Sequence, residues 1–157
     1  MNKEQAFHAA VGRFVISWGD MENGLDFLAL LIRRHFPVRR HQKAPQKLCE
    51  KIDFLKKQVD SLADVNECAN LLDQIKTLAK TRHDLIHGAA IIWRFDRNKP
   101  AKVTFDRFFS ARRQPDRTIT TEEIIEIAER VGCLGDRVWD MVDGIVAASQ
   151  FQLPQSN

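Results

Sequence analysis

The segment Arg82-His83-Asp84-Leu85-Ile86-His87-Gly88 gathers the residue types that do chemistry. A guanidinium stays charged at every accessible pH and offers a planar fork of donors to a carboxylate or a phosphate. Imidazoles exchange protons near neutrality and ligate metals. On a helix at about 100° per residue, counted from Leu71, the residues Leu71, Leu72, Ile75, Leu78, Ala79, Leu85 and Ile86 share one arc, and Arg82 falls near its middle at about 20°. It continues the heptad series Cys68, Ile75, Arg82. A cation on an apolar stripe is costly unless a fixed acceptor answers it. Glu22, close beside the apolar seam of the first helix, is the carboxylate expected to do so, and Asp84 is a second orienting group. His83 and His87 fall at about 120° and 160°, on one flank of the same helix. The run His83-Asp84-Leu85-Ile86-His87 also mimics the zinc-binding HExxH pattern, with aspartate in place of glutamate. Aspartate reaches less far toward a bound water, and no downstream segment offers a third ligand. Neither a metal nor another cofactor is therefore expected.

These residues need elements to hold them. Phe7, Val11, Phe14, Trp18, Met21, Leu25, Leu28 and Ile32 recur at alternating spacings of four and three, a seam of helical period that stops before Pro37. A second helix is expected from Ala44-Pro45, with proline tolerated in its first turn and a seam of Leu48, Ile52, Leu55, Val59 and Leu62. A third should run from Asp64 to His87, with Gly88 as its stop. The pattern then changes to strand-like alternation at 90–95 and 102–106 around the turn-like Asp96-Arg97-Asn98-Lys99-Pro100, which predicts a short β-hairpin at about 90–107. Thr120-Thr121-Glu122-Glu123 opens a fourth helix, with a threonine cap and acids at the positive end of the dipole. Its seam is Ile124, Ile127, Val131, Leu134, Val138, Met141, Ile145 and Ala148, and the tail 151–157 is expected to fray. The expected fold is all-α: one domain over residues 1–157, an antiparallel four-helix bundle with the hairpin inserted between the third and fourth helices. The first helix could also serve a partner chain.

A chain of 157 residues, 44% hydrophobic and 29% charged, can bury its own core without metals or disulfides. Cys49, Cys68 and Cys133 are far apart and each lies on or beside a seam, which predicts buried free thiols in a reducing cytosol. The N-terminal residues lack the apolar run of a signal peptide, and no stretch approaches a membrane span, so a cytoplasmic protein without membrane contact is expected. Net charge is +3, yet residues 33–43 carry +5 and residues 94–117 another +5, leaving −7 for the rest. Two basic segments on a nearly neutral chain point to a polyanion such as RNA, with Arg33, Arg34, Arg39, Arg40, Arg94, Arg97 and Lys99 as its contacts. Walker, GxGxxG and GxSxG patterns are absent, as is a catalytic cysteine–histidine pair.

The run from Arg82 to His87, late in a helix of a bundle, resembles the RxxxxH motif of HEPN-domain proteins. There the arginine is followed by a polar residue, then hydrophobics, then histidine. His83 stands in the polar slot, and Leu85 and Ile86 in the hydrophobic ones. The first helix, with Trp18 and Met21-Glu22 before Leu25, resembles the start of such domains, and the likeness spans roughly residues 5–148 without the hairpin. The resemblance implies a metal-independent ribonuclease, or a catalytically silent relative, whose site pairs motifs from two protomers of a homodimer. Arg82 would bind the scissile phosphate, His87 would move a proton, and His83 would orient the substrate or the motif. It also implies a place in a toxin–antitoxin or antiphage system, with a cognate antitoxin protein as a further partner. The contrasting reading is a non-catalytic helical module that binds RNA or protein through its basic segments and through Trp93, Phe95, Phe105, Phe108 and Phe109.

Overall fold

The computed structural model describes residues 3–35, 45–58, 65–87, 90–94, 102–106 and 117–150. Four helices dominate it: α1 (Lys3–His35), α2 (Leu48–Gln58), α3 (Val65–His87) and α4 (Thr121–Gln150). Between α3 and α4 come β1 (Ala90–Arg94), β2 (Lys102–Asp106) and β3 (Arg117–Thr120). They form an antiparallel sheet of order β1-β2-β3, in which Trp93 pairs with Val103 and Val103 with the buried Ile119. The sequence pattern does not announce β3, which is short and leads straight into α4. Val59, Leu62, Phe95, Phe108, Phe109 and the tail lie outside the described residues.

The α1 seam is buried from Phe7 to Ile32, with Val11 only partly covered. Leu71, Leu72, Ile75, Leu78 and Leu85 of α3 join the same core, as do Ile124, Val131, Leu134, Val138 and Ile145 of α4. Ala148, at the end of the α4 seam, is exposed. The fourth helix begins in a reciprocal cap. Thr120 Oγ1 accepts from the Glu123 amide at 3.1 Å, and the Thr120 amide donates to Glu123 Oε2 at 2.6 Å. Each satisfies a backbone or side-chain group the helix start would otherwise leave to water.

Three expectations need correction. The first concerns direction. Arg13 meets Glu129 at 3.9 Å, a Cβ on Gly135 would lie 3.5 Å from Met21 Cβ, and one on Gly24 would lie 2.9 Å from Val138 Cγ1. Numbers rise together along both helices, so α1 and α4 run parallel and not antiparallel. Short loops force antiparallel neighbours, whereas the long segment 88–120 leaves the direction of α4 free. Only α3 opposes the others, with Asp53–Lys76 and Lys56–Asp73 joining it to α2, and Glu67–Arg137 and Arg130–Gln74 joining it to α4. Second, α2 starts at Leu48, so Pro45 precedes the helix instead of occupying its first turn. Third, only Cys68 is buried, beside Met141, while Cys49 and Cys133 are exposed because each sits one position off its seam.

Candidate functional site

Trp18 anchors the first wall of the site. Its side chain is buried in the α1 seam against Phe14, and its indole N–H donates to Glu22 Oε2, one turn on, at 3.1 Å. That bond selects one orientation of the Glu22 carboxylate. The same oxygen lies 3.8 Å from Arg82 Nη2 of α3, the pair expected from the sequence. Leu78 and Leu85, on either side of Arg82 along α3, are both buried and hold that stretch of helix against the core.

The contact is one of charge and not of hydrogen bonding, since 3.8 Å exceeds the usual donor–acceptor range. Both side chains keep about a third of their surface in water, 31% for Arg82 and 27% for Glu22. Solvent at that level weakens the Coulomb attraction to the scale of surface pairs. Glu22 therefore faces Arg82 as a charge and not as a bidentate clamp, and about a third of the arginine side chain meets water. An anionic ligand arriving from solvent could share the arginine.

His83, next along α3, is exposed. His87 closes the helix, and its side chain and that of Asp84 lie outside the described ones. Arg82 and His87 share the last turns of α3, and residues five apart on an ideal helix stand about 140° apart. The metal reading of His83 with His87 rests on a side chain outside those described.

The basic residues divide. Arg33 and Arg34, expected in a loop, are the last turn of α1, where cations suit the negative end of the helix dipole. Arg33 is half-buried and Arg34 exposed, about 16–18 Å along the helix axis from Glu22. Arg94 ends β1 in register with Lys102. Arg39, Arg40, Arg97 and Lys99 lie outside the described residues.

Sequence reasoning overlooked a buried cation. Lys51 of α2 is 6% exposed, and its Nζ is 2.5 Å from Asp26 Oδ1 on α1. The signal was available, because Lys51 fills the slot between Leu48 and Leu55 on the α2 seam just as Arg82 does on α3. A cavity of about 310 Å³ between α3 and α4, lined by Glu67, Cys68, Leu71, Arg137, Asp140 and Met141, was also not foreseen. It lies toward the far end of α3 from Arg82, and the Glu67–Arg137 pair in its wall, at 2.7 Å, leaves Asp140 as the one charge without an opposite among the lining residues. Among the described residues no helix is long and apolar enough to cross a membrane.

Comparison of the chain with family models, with curated proteins and with solved structures finds no match. The site's own geometry is thus the ground for a functional reading.

Proposed function

We propose that this chain is a metal-independent endoribonuclease of the HEPN type, acting on RNA at a composite site of a homodimer. What supports the reading is one arrangement: Arg82, set beside Glu22 and open to water, stands five residues before His87 at the end of α3. In this reading the helices form an HEPN-like bundle, and the strands between α3 and α4 are an elaboration of it. Arg82 binds the scissile phosphate and stabilises charge that builds on it as the RNA 2′-oxygen attacks phosphorus. The bond to the 5′-oxygen breaks, leaving a 2′,3′-cyclic phosphate. His87 carries the proton lost by the 2′-hydroxyl or gained by the leaving oxygen. His83 and Asp84 orient the motif, and the basic residues at 33–40 and 94–99 hold the RNA backbone. The biological setting that goes with this reading is a cytoplasmic toxin–antitoxin or antiphage system with a protein antitoxin.

The test is cleavage of a mixed single-stranded RNA in EDTA by wild type, Arg82→Ala and His87→Ala. Expected are cyclic-phosphate ends from wild type and none from either variant. Cleavage that EDTA abolishes, or that survives both substitutions, refutes the reading.

One observation favours a second reading, a non-catalytic module binding RNA or protein. Glu22 already supplies a carboxylate to Arg82, so the pair can serve the fold alone by fixing α3 against α1. RNA binding that persists in His87→Ala, without turnover by wild type, selects this module.

A further inference from the structure

The outer face of α1 is built unlike the outer face of any other described helix. Ile16 is 74% exposed and Leu30 57%, and Phe27, whose ring leans on Trp139 of α4 at 6.1 Å, still keeps 43% of its surface in water. On a wheel at about 100° per residue, Gln5, Ala9, Gly12, Ile16, Gly19, Asp20, Asn23, Phe27, Leu30 and Arg34 fall within an arc of about 100°. Apart from the adjacent Gly19 and Asp20 they are spaced by three or four, and all but the half-buried Gly12 and Gly19 are exposed. The stripe thus carries two glycines in mid-helix. A Cβ added to Gly12 or Gly19 would meet nothing within 4 Å, so neither is required by packing inside the chain. Glycine is among the poorest helix formers. A smooth, partly apolar helix face of this kind suits close approach by a second helix.

We infer that this face pairs with the same face of a second copy of the chain, antiparallel, about a twofold axis between Gly19 and Asp20. The stripe is its own complement when reversed about that point. Leu30 then opposes the partner's Ala9, Phe27 opposes the partner's Gly12, and Ile16 opposes the partner's Asn23. Each large apolar end residue meets a small one, the knob-and-hole match that lets two helices approach closely. A twofold interface must be self-complementary in this sense, and an unrelated partner imposes no such symmetry on the pattern.

Charge agrees with size. The parallel register of α1 and α4, carried from Met21–Gly135 back through Arg13–Glu129, sets residue 5 beside the first turn of α4. Glu122 and Glu123, both exposed, stand there. Reversal brings the partner's Arg34, exposed at the other end of the stripe, to that level, so the basic end of one copy meets the acidic helix start of the other.

The axis has a consequence for the Arg82 site. Glu22 lies about 110° round α1 from the centre of the stripe and about 4 Å along the helix from the axis. Both Glu22–Arg82 pairs therefore face the same side of the dimer, flanking its twofold. The interface deepens the homodimer element of the ribonuclease reading, and it is measured without any RNA.

The experiment is sedimentation velocity on the full chain, wild type against Ile16→Glu/Leu30→Glu, with circular dichroism and thermal melting as checks on folding. The wild type should sediment as a dimer, and the double variant as a monomer of unchanged helicity. In a Cys49→Ser/Cys133→Ser background, Gly19→Cys should then form a disulfide between copies, and Leu30→Cys should not. A monomeric wild type, a dimer that survives the double substitution, or cross-linking through Leu30→Cys instead of Gly19→Cys overturns the inference. A dimer that cleaves no RNA keeps this interface and removes the ribonuclease reading, while a monomer that cleaves RNA does the reverse.

Discussion

The pairing of α1 with α4 and the pairing of α2 with α3 hold by different means. Along α1 and α4 the contact is apolar and close, with Met21, Leu25, Val131 and Val138 buried and glycines 24 and 135 letting the backbones approach. Between α2 and α3 the visible links are ion pairs, Asp53–Lys76 and Lys56–Asp73, whose side chains are largely in water. Apolar burial is not screened by salt, whereas exposed pairs are screened and individually weak. The long pair is a frame, and α2 and α3 are seated on it by their own buried residues, Ile52, Leu55, Leu71, Leu72 and Ile75, with the exposed ion pairs linking the two to each other. Glu22 belongs to the frame and Arg82 to a helix seated on it, so the candidate site lies across the join.

Substitutions in the frame should break that contrast most severely. Leu25→Ala removes a fully buried side chain and should cost about 2–5 kcal/mol in urea-unfolding experiments. Gly24→Ala puts a methyl 2.9 Å from Val138 Cγ1. Overpacking of that kind costs about 1–3 kcal/mol, partly offset by the roughly 1 kcal/mol that alanine gains over glycine in a helix. A net loss is expected, smaller than that of Leu25→Ala. A gain would mean that the two helices separate more readily than their contact implies.

At the join the effect on stability should be small. Glu22→Gln keeps an oxygen for the Trp18 indole but removes the charge facing Arg82, and should change stability by about 1 kcal/mol or less. A loss of several kcal/mol would make the pair a buried structural bridge and strengthen the non-catalytic reading. Between α2 and α3 the effect should be smaller still and depend on pH. The hydrogen bond to Asp53, and then that carboxylate's charge, raise the Lys76 ammonium above its ordinary value of 10.5. Its contribution is therefore complete below pH 10.5 and lost as the pH rises through the higher folded value. Melting curves recorded across that window should show a slight alkaline fall that Lys76→Met removes.

Much of this was legible in the chain because apolar periodicity is a strong signal. The α1 seam from Phe7 to Ile32 and the α4 seam from Ile124 to Ile145 mark their own buried faces. Arg82 announced itself by standing where the heptad series of α3 called for an apolar residue, and Glu22 was the carboxylate within reach. Lys51 sent the same signal from a shorter helix and passed unread. Helix direction was not legible, since Gly24 and Gly135 look neutral in sequence and become close contacts only when α4 runs beside α1. The exposure of Cys49 and Cys133 was missed for a related reason, as one position off a seam is enough to turn a thiol to solvent. The histidine end of the motif is a matter for chemistry, because ideal helix geometry sets His87 about 140° from Arg82.

The measurement closest to the central claim is the single-turnover rate of RNA cleavage in EDTA by Arg82→Lys against wild type. Lysine keeps the charge beside Glu22 but loses the planar fork that binds a phosphate at two points. If Arg82 serves the phosphate, the rate should fall by about 10²–10³, with the unfolding midpoint almost unchanged. A variant that cleaves like wild type, or one that loses activity only in proportion to lost stability, would contradict the claim.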